Sequence, residues 1–197
     1  EDSALSTSIQ TLKKGRLNVL VGPTGSGKST FADILMGLLK PAQGFVEVNG
    51  IKISKDTQIS NKCIGYVPQE VNFISRNVYE NIALGVSSDK VNRGRVELLC
   101  KAYNLHDKIV SNFEFGYETI LGIEGAMLSG GQSQRLGLCR AMYKEPDFLI
   151  LDEPTSAQDS LSSSMIWEEL RKLSKDTLVV IISHEVGKIK SDDYVHY

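Results

Sequence analysis

The sequence predicts an α/β fold with a parallel sheet core, a small antiparallel β part and an inserted α-helical subdomain. The stretches LNVLV (Leu17 to Val21) and TLVVII (Thr177 to Ile182) are apolar runs, which are typical of parallel strands buried on both faces. The stretch GFVEVNGIKI has Asn-Gly between two strand-like pieces, and this predicts a hairpin. From about residue 75 to residue 142 the strand signal fades, and two or three helices are predicted instead.

Further strands and helices alternate on either side of this insertion. IGYVP and FLIL predict two more short strands, and KVNRGRVELLCKAY predicts a helix inside the insertion. A helix across residues 161–175 is expected because Ile166, Leu170 and Leu173 repeat at helical spacing. KSTFADILMGLL predicts another helix, whose apolar side is formed by Phe31, Ile34, Leu35 and Leu38.

The composition excludes several classes of protein. Within 197 residues the apolar fraction is 41% and the net charge is −2, so the charge favours neither nucleic acid nor anionic lipid as a partner. No apolar run approaches the ~20 residues that a membrane span needs, and no signal-peptide pattern is visible. Cys63, Cys100 and Cys139 lack paired spacing, which favours a reducing compartment over disulfides or a metal site.

The stretch GPTGSGKST forms a phosphate-binding loop between a predicted strand and a predicted helix. It satisfies the GxxxxGK[ST] pattern, in which glycines let successive backbone N–H groups face an anion at a helix N-terminus. Lys28 is predicted to reach the β- and γ-phosphates of a nucleotide, and the Ser29 hydroxyl to bind Mg²⁺. A glycine-rich turn with a chance lysine is the alternative. The predicted nucleotide-binding residues are Gly22, Pro23, Thr24, Gly25, Ser26, Gly27, Lys28, Ser29 and Thr30.

Two carboxylates follow the strand FLIL, where ligands of open α/β sheets gather. Asp152 is suited to the Mg²⁺ shell, and Glu153 to orienting or deprotonating an attacking water. The alternative is that the Asp-Glu pair only ends the strand and Asp152 caps the next segment.

Two polar residues follow other predicted strands. His184 follows TLVVIIS and would face the γ-phosphate, although a histidine at such a position is equally often an ordinary loop residue. Gln69 follows IGYVP, and its amide would ligate Mg²⁺ or hold the water. From spacing alone, both roles stay open.

A second glycine-rich helix start lies at MLSGGQSQR, and with it the motifs resemble one family in order and kind. LSGGQ (Leu128 to Gln132) resembles the signature of ABC transporter nucleotide-binding domains. In that resemblance GPTGSGKST is Walker A, Gln69 is the Q-loop glutamine and His184 is the switch histidine. FLILDE is then Walker B, with Glu153 as the catalytic glutamate. The residue Asp159 belongs to the D-loop.

The resemblance implies a P-loop NTPase with a RecA-like core that uses ATP and Mg²⁺. Two such domains associate head to tail, as a homodimer or heterodimer, and each ATP lies between the phosphate loop of one and the signature of the other. Its implied partners are a second ABC ATPase domain and a transmembrane domain, on the cytoplasmic side of a membrane. The implied contacts of the signature are Ser129, Gly130, Gly131 and Gln132. Arg135 is expected to steady the helix.

The segments VPQEVNFISRNVYENIAL and GYETILGIEGAMLSGGQ resemble exporter-type domains, with departures. Ile123 stands where an acidic residue is usual, Gln158 where leucine is usual, and Asn77 where threonine is common. The first aromatic residue is Phe31, so the family's adenine-stacking residue is absent and weaker nucleotide binding is expected, by ~1–3 kcal/mol.

The chain is therefore expected to be a single ABC ATPase domain over 1–197, trimmed at both ends from a longer polypeptide. Its α/β lobe spans 1–74 and 144–197, and its helical subdomain spans 75–143. The expected function is the ATP-hydrolysing motor of an exporter, with no nucleic acid partner. The alternatives are a soluble ABC ATPase that acts on the ribosome or DNA, and a non-catalytic nucleotide-gated module.

Overall fold

The computed structural model describes residues 11–23, 25–48, 51–53, 64–122, 128–155 and 160–196. The strands are β1 (Asn18–Val21), β2 (Val46–Val48), β3 (Ile51–Ile53), β4 (Ile64–Val67), β5 (Phe148–Asp152), β6 (Leu178–Ser183) and β7 (Tyr194–His196). The α-helices are α1 (Lys28–Leu35), α2 (Val78–Ile82), α3 (Arg93–Ala102), α4 (His106–Asn112), α5 (Gly130–Met142) and α6 (Ser160–Leu173). Short 3₁₀ turns cover Ser88–Lys90, Gly116–Glu118 and Val186–Lys188.

Five strands form a parallel sheet in the order β4-β5-β6-β1-β7. Successive side chains of its central strands alternate between two apolar clusters. Leu149 and Leu151 of β5 pack with Trp167 and Leu170 of α6 on one face, whereas Ile150 packs with the cluster that contains Ala32 of α1 on the other. Because both faces are covered, the central strands have the continuous apolar sequences that predicted a parallel α/β core. The predicted fold class is confirmed.

The hairpin is also confirmed, since β2 and β3 pair antiparallel with Val46 opposite Ile53. The Asn-Gly pair that predicted it lies outside the described residues. In α6, Ile166 is 5% exposed and Leu170 is fully buried, which agrees with the predicted apolar stripe. No helix within the described ranges is long and apolar enough to cross a membrane.

The helical insertion contains four α-helices in its described part, more than the two or three predicted. The helices α2 and α4 have only 5 and 7 residues, too few for a clear helical period in the sequence. Side-chain caps mark two of the starts: Asn77 accepts a hydrogen bond from Glu80 N, and Asn92 accepts one from Arg95 N. A third apolar cluster, in addition to the two of the sheet, holds the insertion together.

One other element prediction was wrong, and one strand was missed. The helix α1 ends at Leu35, because Gly37 adopts φ 74° and turns the chain, and Leu38 is 70% exposed rather than part of the apolar stripe. The strand β7 was not predicted, since its three residues are too short for a periodic signal. It pairs with β1, with Tyr194 opposite Asn18.

Candidate active site

Four neighbouring strands of the parallel sheet end at one edge, and the loop after each supplies a predicted site residue. The order β4-β5-β6-β1 sets these loops side by side, as carboxyl ends of parallel strands require. A pocket of about 460 Å³ lies at this edge. Its lining residues are Gly22, Pro23, Lys28, Gln69, Glu153 and His184.

The phosphate loop, residues 22–30, has the backbone conformation that its glycines predict. Gly25 and Gly27 have φ values of 82° and 89°, in the left-handed region that favours glycine. At Gly22 a Cβ atom would lie 2.6 Å from Ser26 Oγ, so a side chain there would force the Ser26 hydroxyl to move. Thr24, predicted to contact nucleotide, lies outside the described residues.

Lys28 lies at the N-terminus of α1 with its side chain folded back over the loop. Its Nζ donates hydrogen bonds to the carbonyl oxygens of Gly22 at 2.7 Å and Pro23 at 2.8 Å. The ammonium group therefore lies beside the bare N–H groups of the helix start, where an anion would bind. Ser29 and Thr30 are exposed in the first turn, so their hydroxyls are accessible.

Glu153 is the centre of the polar contacts in this pocket. Its Oε2 accepts a hydrogen bond from Gln69 Nε2 at 3.2 Å, and its Oε1 lies 3.1 Å from His184 Nδ1. The backbone of Glu153 has φ 45°, uncommon for a residue with a side chain, and its N–H donates to Ile182 O of β6. Three predicted residues from three different loops thus meet at one carboxylate.

The Asp152 carboxyl lies in a region of excess negative charge. Burial raises the pKa of Asp152 above its usual range, and the carboxylates of Glu153 and Asp33 raise it further. The Lys28 ammonium and a hydrogen bond from the Tyr66 hydroxyl partly offset this rise in the pKa. A cation placed here would stabilise the charged carboxylate.

The residues at this edge fit Mg²⁺ bound together with phosphate. In the described part of the chain, no group of three or more His, Cys, Asp or Glu side chains could hold a metal ion by itself. Mg²⁺ commonly takes one or two protein oxygens and completes its shell with water and substrate phosphates. The Ser29 hydroxyl, the Gln69 amide oxygen and the Asp152 carboxylate are oxygens of the right type.

The signature segment, Leu128 to Gln132, lies at the N-terminus of α5 and does not line the pocket. Ser129 Oγ accepts a hydrogen bond from Gln132 N at 3.4 Å, and Gln132 Oε1 accepts one from Ser129 N at 3.0 Å. This reciprocal pair is a capping box. Arg135 donates to Tyr103 O at 2.9 Å, a structural contact within the helical insertion. Asp159 lies outside the described residues.

The helix α5 packs along the loop that contains Gln69. Gln134 is 6% exposed, and its Nε2 donates to Gln69 O at 2.5 Å. One turn later, a Cβ atom on Gly137 would lie 2.7 Å from Val71 Cγ2, so only glycine allows this close approach. Arg140 continues the same side of α5 and donates to Asn72 O at 3.0 Å.

Sequence reasoning missed several residues that surround the site. Tyr66 reaches Asp152 because β4 pairs in parallel with β5, with Tyr66 opposite Ile150, and this pairing cannot be read from either strand alone. Asp33 acts on Asp152 from α1. Glu185, directly after His184, accepts hydrogen bonds from two buried hydroxyls. The signal for Glu185 in the sequence was a charged residue directly after His184.

Comparisons with known proteins cover nearly the whole chain. A family model described as ABC transporter matches residues 5–156. The chain is 37% identical over 186 residues to ABC transporter B family member 28 of Arabidopsis thaliana, with 94% of this chain and 26% of that protein covered. It is 36% identical over 187 residues to ATP-binding cassette sub-family B member 10, mitochondrial, of Mus musculus, again with 94% and 26% covered. The chain thus spans about a quarter of these curated relatives' length.

A solved structure shares this architecture. The structure of a bacterial Atm1-family ABC exporter with ATP bound superposes with a TM-score of 0.82 at 31% sequence identity. The match covers 93% of this chain and 32% of that chain.

Proposed function

We propose, on the premise that this chain belongs to the ABC transporter family, that its pocket binds and hydrolyses Mg-ATP to power an exporter. Membership rests on the family model, which covers residues 5–156, and it confirms the resemblance found in the motifs. The observation that supports hydrolysis best is the meeting of Gln69 and His184 at the Glu153 carboxylate, within the pocket that Lys28 also lines.

Each side chain of the pocket has a distinct role in this proposal. The phosphate loop binds the nucleotide phosphates through backbone N–H groups, and Lys28 exchanges its bonds to the loop carbonyls for phosphate oxygens. Glu153 accepts a proton from the attacking water, and His184 donates a hydrogen bond toward the γ-phosphate. Mg²⁺, held by Ser29, Gln69 and Asp152, would neutralise developing phosphate charge.

The signature segment is proposed to act on a nucleotide bound by another domain. It does not line the pocket of its own chain, and the N–H groups at the N-terminus of α5 that the capping box does not use belong to Gly130 and Gly131. Ser129, Gly130, Gly131 and Gln132 would contact the γ-phosphate held by a second ABC ATPase domain in a head-to-tail pair, and Asp159 would lie near that interface. The pair is either a homodimer or a heterodimer.

The second proposed partner is a transmembrane domain, with this chain on the cytoplasmic side of the membrane where ATP is supplied. Support comes from the exporter named in the structural match and from the B-family relatives, whose length exceeds that of this chain about fourfold. The subdomain division at residues 75 and 143 stays a prediction.

The dependence of hydrolysis on protein concentration tests the paired site. Phosphate release should rise more than linearly with the concentration of the chain, since two copies must meet to complete one site. A rate that stays strictly proportional to concentration, together with a monomer at saturating ATP, would contradict the paired site. Absence of hydrolysis at all concentrations would favour the non-catalytic nucleotide-gated alternative.

A further inference from the structure

Glu185, the residue after His184, connects two loops of the site through its carboxylate. Its Oε1 accepts a hydrogen bond from Thr155 Oγ1 at 2.9 Å, and its Oε2 accepts one from Ser163 Oγ at 3.0 Å. Thr155 and Ser163 are each 2% exposed. Hydrogen bonds to a charged acceptor from buried donors are among the stronger ones in proteins, so this contact fixes the carboxylate in place.

The backbone around Glu185 is fixed as well. Glu185 N donates to Ser183 Oγ at 3.0 Å, and Val186 N donates to His184 O at 3.0 Å. The ring of His184 itself is 62% exposed, so surrounding packing does little to orient it. Its direction is therefore set by its contact with Glu153 and by the turn from which it projects, and Glu185 holds that turn.

Thr155 provides the link to the other loop. It lies two residues after Glu153, in the turn that follows β5, whereas Glu185 lies in the turn that follows β6. One carboxylate therefore ties together the two turns that present Glu153 and His184 to each other at 3.1 Å.

We propose that Glu185 is a positioning residue that sets the Glu153–His184 geometry for ATP hydrolysis. This inference rests on the proposed function of that pair. A carboxylate suits the task because each of its two oxygens can accept one hydroxyl. Glutamine keeps one such oxygen, and its amide nitrogen can donate to the other hydroxyl, so it should preserve much of the link. Alanine should remove the link.

Nuclear magnetic resonance of the histidine side chains tests the link without hydrolysis. The chain contains three histidines, so the signals of His184, His106 and His196 can be separated. In Glu185→Ala, and also in Thr155→Val, the imidazole shifts of His184 should move toward those of Glu153→Gln. The signals of His106 and His196 should stay, which reports a preserved fold. Exposed Glu114 provides a control, and Glu114→Ala should move none of the three.

Steady-state ATP hydrolysis by the full chain tests whether the Glu185 link affects catalysis. Glu185→Ala should lower kcat by up to about 10²-fold, the loss that misplacing a reacting group by about 1 Å can cause, while the KM for ATP stays nearly unchanged. In the His184→Ala background the same change should have little further effect, since residues that act as a unit are non-additive. Glu185→Gln should restore most of the activity.

Several outcomes would overturn the proposal. It fails if the His184 signal is unmoved in both Glu185→Ala and Thr155→Val, if the losses multiply in the double variant, or if KM rises as kcat falls. If Glu185→Ala does not fold, Thr155→Val and Ser163→Ala decide the matter. Failure of the proposed function is a separate result. In that case Glu153→Gln and His184→Ala hydrolyse ATP at the original rate, while the His184 signal still moves in Glu185→Ala.

Discussion

Two helices of this chain, α1 and α5, begin in glycine-rich stretches of the sequence, and they differ in how the N–H groups of their first turns are bonded. The helix α1 follows Gly27, which has no side chain to cap it, and Lys28 reaches back to the loop carbonyls. The helix α5 follows Ser129, whose hydroxyl and backbone N–H are both paired with Gln132. The first start has no side-chain cap, whereas in the second the N–H groups of Ser129 and Gln132 are bonded within the capping box and those of Gly130 and Gly131 lie outside it.

The difference indicates an order of binding. An incoming phosphate finds uncapped N–H groups at α1, so the phosphate loop can bind nucleotide within a single chain. At α5 a phosphate of a second domain would meet the N–H groups of Gly130 and Gly131 directly, and it would have to replace a capping bond, worth about 1 kcal/mol, to reach the N–H of Gln132. The signature segment should therefore bind phosphate more weakly than the phosphate loop does, and it should contribute once a nucleotide is held opposite it.

The largest expected effect comes from Glu153→Gln, which keeps the side-chain shape and removes the proton acceptor. Hydrolysis should fall by roughly 10²–10⁴-fold, the usual contribution of a general base, while nucleotide binding persists. ATP-bound dimers should then accumulate and be detectable by analytical ultracentrifugation, because the ATP that holds the two domains together is no longer hydrolysed. A variant that remains monomeric with saturating ATP would contradict the role given to the second helix start.

Lys28→Ala and Ser129→Ala compare the two helix starts directly. Each should reduce turnover strongly, and for Ser129→Ala the loss of one donor aimed at the transition state predicts ~10²–10³-fold. Calorimetric titration of the monomer with ATP should separate them, since Lys28→Ala weakens binding and Ser129→Ala does not. Equal weakening in both variants would mean that the signature segment contacts the nucleotide of its own chain.

Gly137→Ala tests the contact between α5 and the loop of Gln69. The added methyl group would lie 2.7 Å from Val71 Cγ2, and overpacking of this kind costs about 1–3 kcal/mol. Alanine regains up to about 1 kcal/mol of helix propensity, so urea unfolding should show a net loss of up to about 2 kcal/mol. The matched control is Gly94→Ala in α3, whose nearest neighbour would be Asn92 Oδ1 at 3.7 Å, and it should not destabilise the protein.

Asp152→Asn should give the smallest effect of these variants. The substitution should stabilise the nucleotide-free protein, although it removes a residue of the proposed site. The pKa of Asp152 is raised in the folded protein, so the folded state binds more protons and stability falls as pH rises from the ordinary value through the raised one. Asparagine removes this cost, and the nucleotide-free variant should melt at a higher temperature than the parent above that window, although hydrolysis falls. The difference in Tm should vanish at pH values below the ordinary pKa. Glu114→Gln, which removes the charge of an exposed carboxylate, provides the control for the change in net charge.

The structure brings several of the proposed site residues together, whereas some of the outer elements differ from their predictions. Gly22, Lys28, Gln69, Glu153 and His184 all line one pocket, because each follows an apolar strand whose type was clear from composition. The errors occurred at short elements, such as β7 with three residues, where no period can develop, and at the end of α1, where Gly37 turns the chain.

What the sequence determined by itself is the chemistry that depends on neighbours along the chain. The phosphate loop needs glycines at left-handed positions followed by Lys28, and the signature segment needs Ser129 three residues before Gln132. Both motifs can therefore be recognised in the sequence, because their residues are close together along the chain. The tertiary structure decided which distant residues meet. Glu153 contacts Gln69, 84 positions away, and Glu185 holds Thr155, 30 positions away. Those contacts depend on strand order and register, which are set by burial of the whole sheet rather than by any one segment.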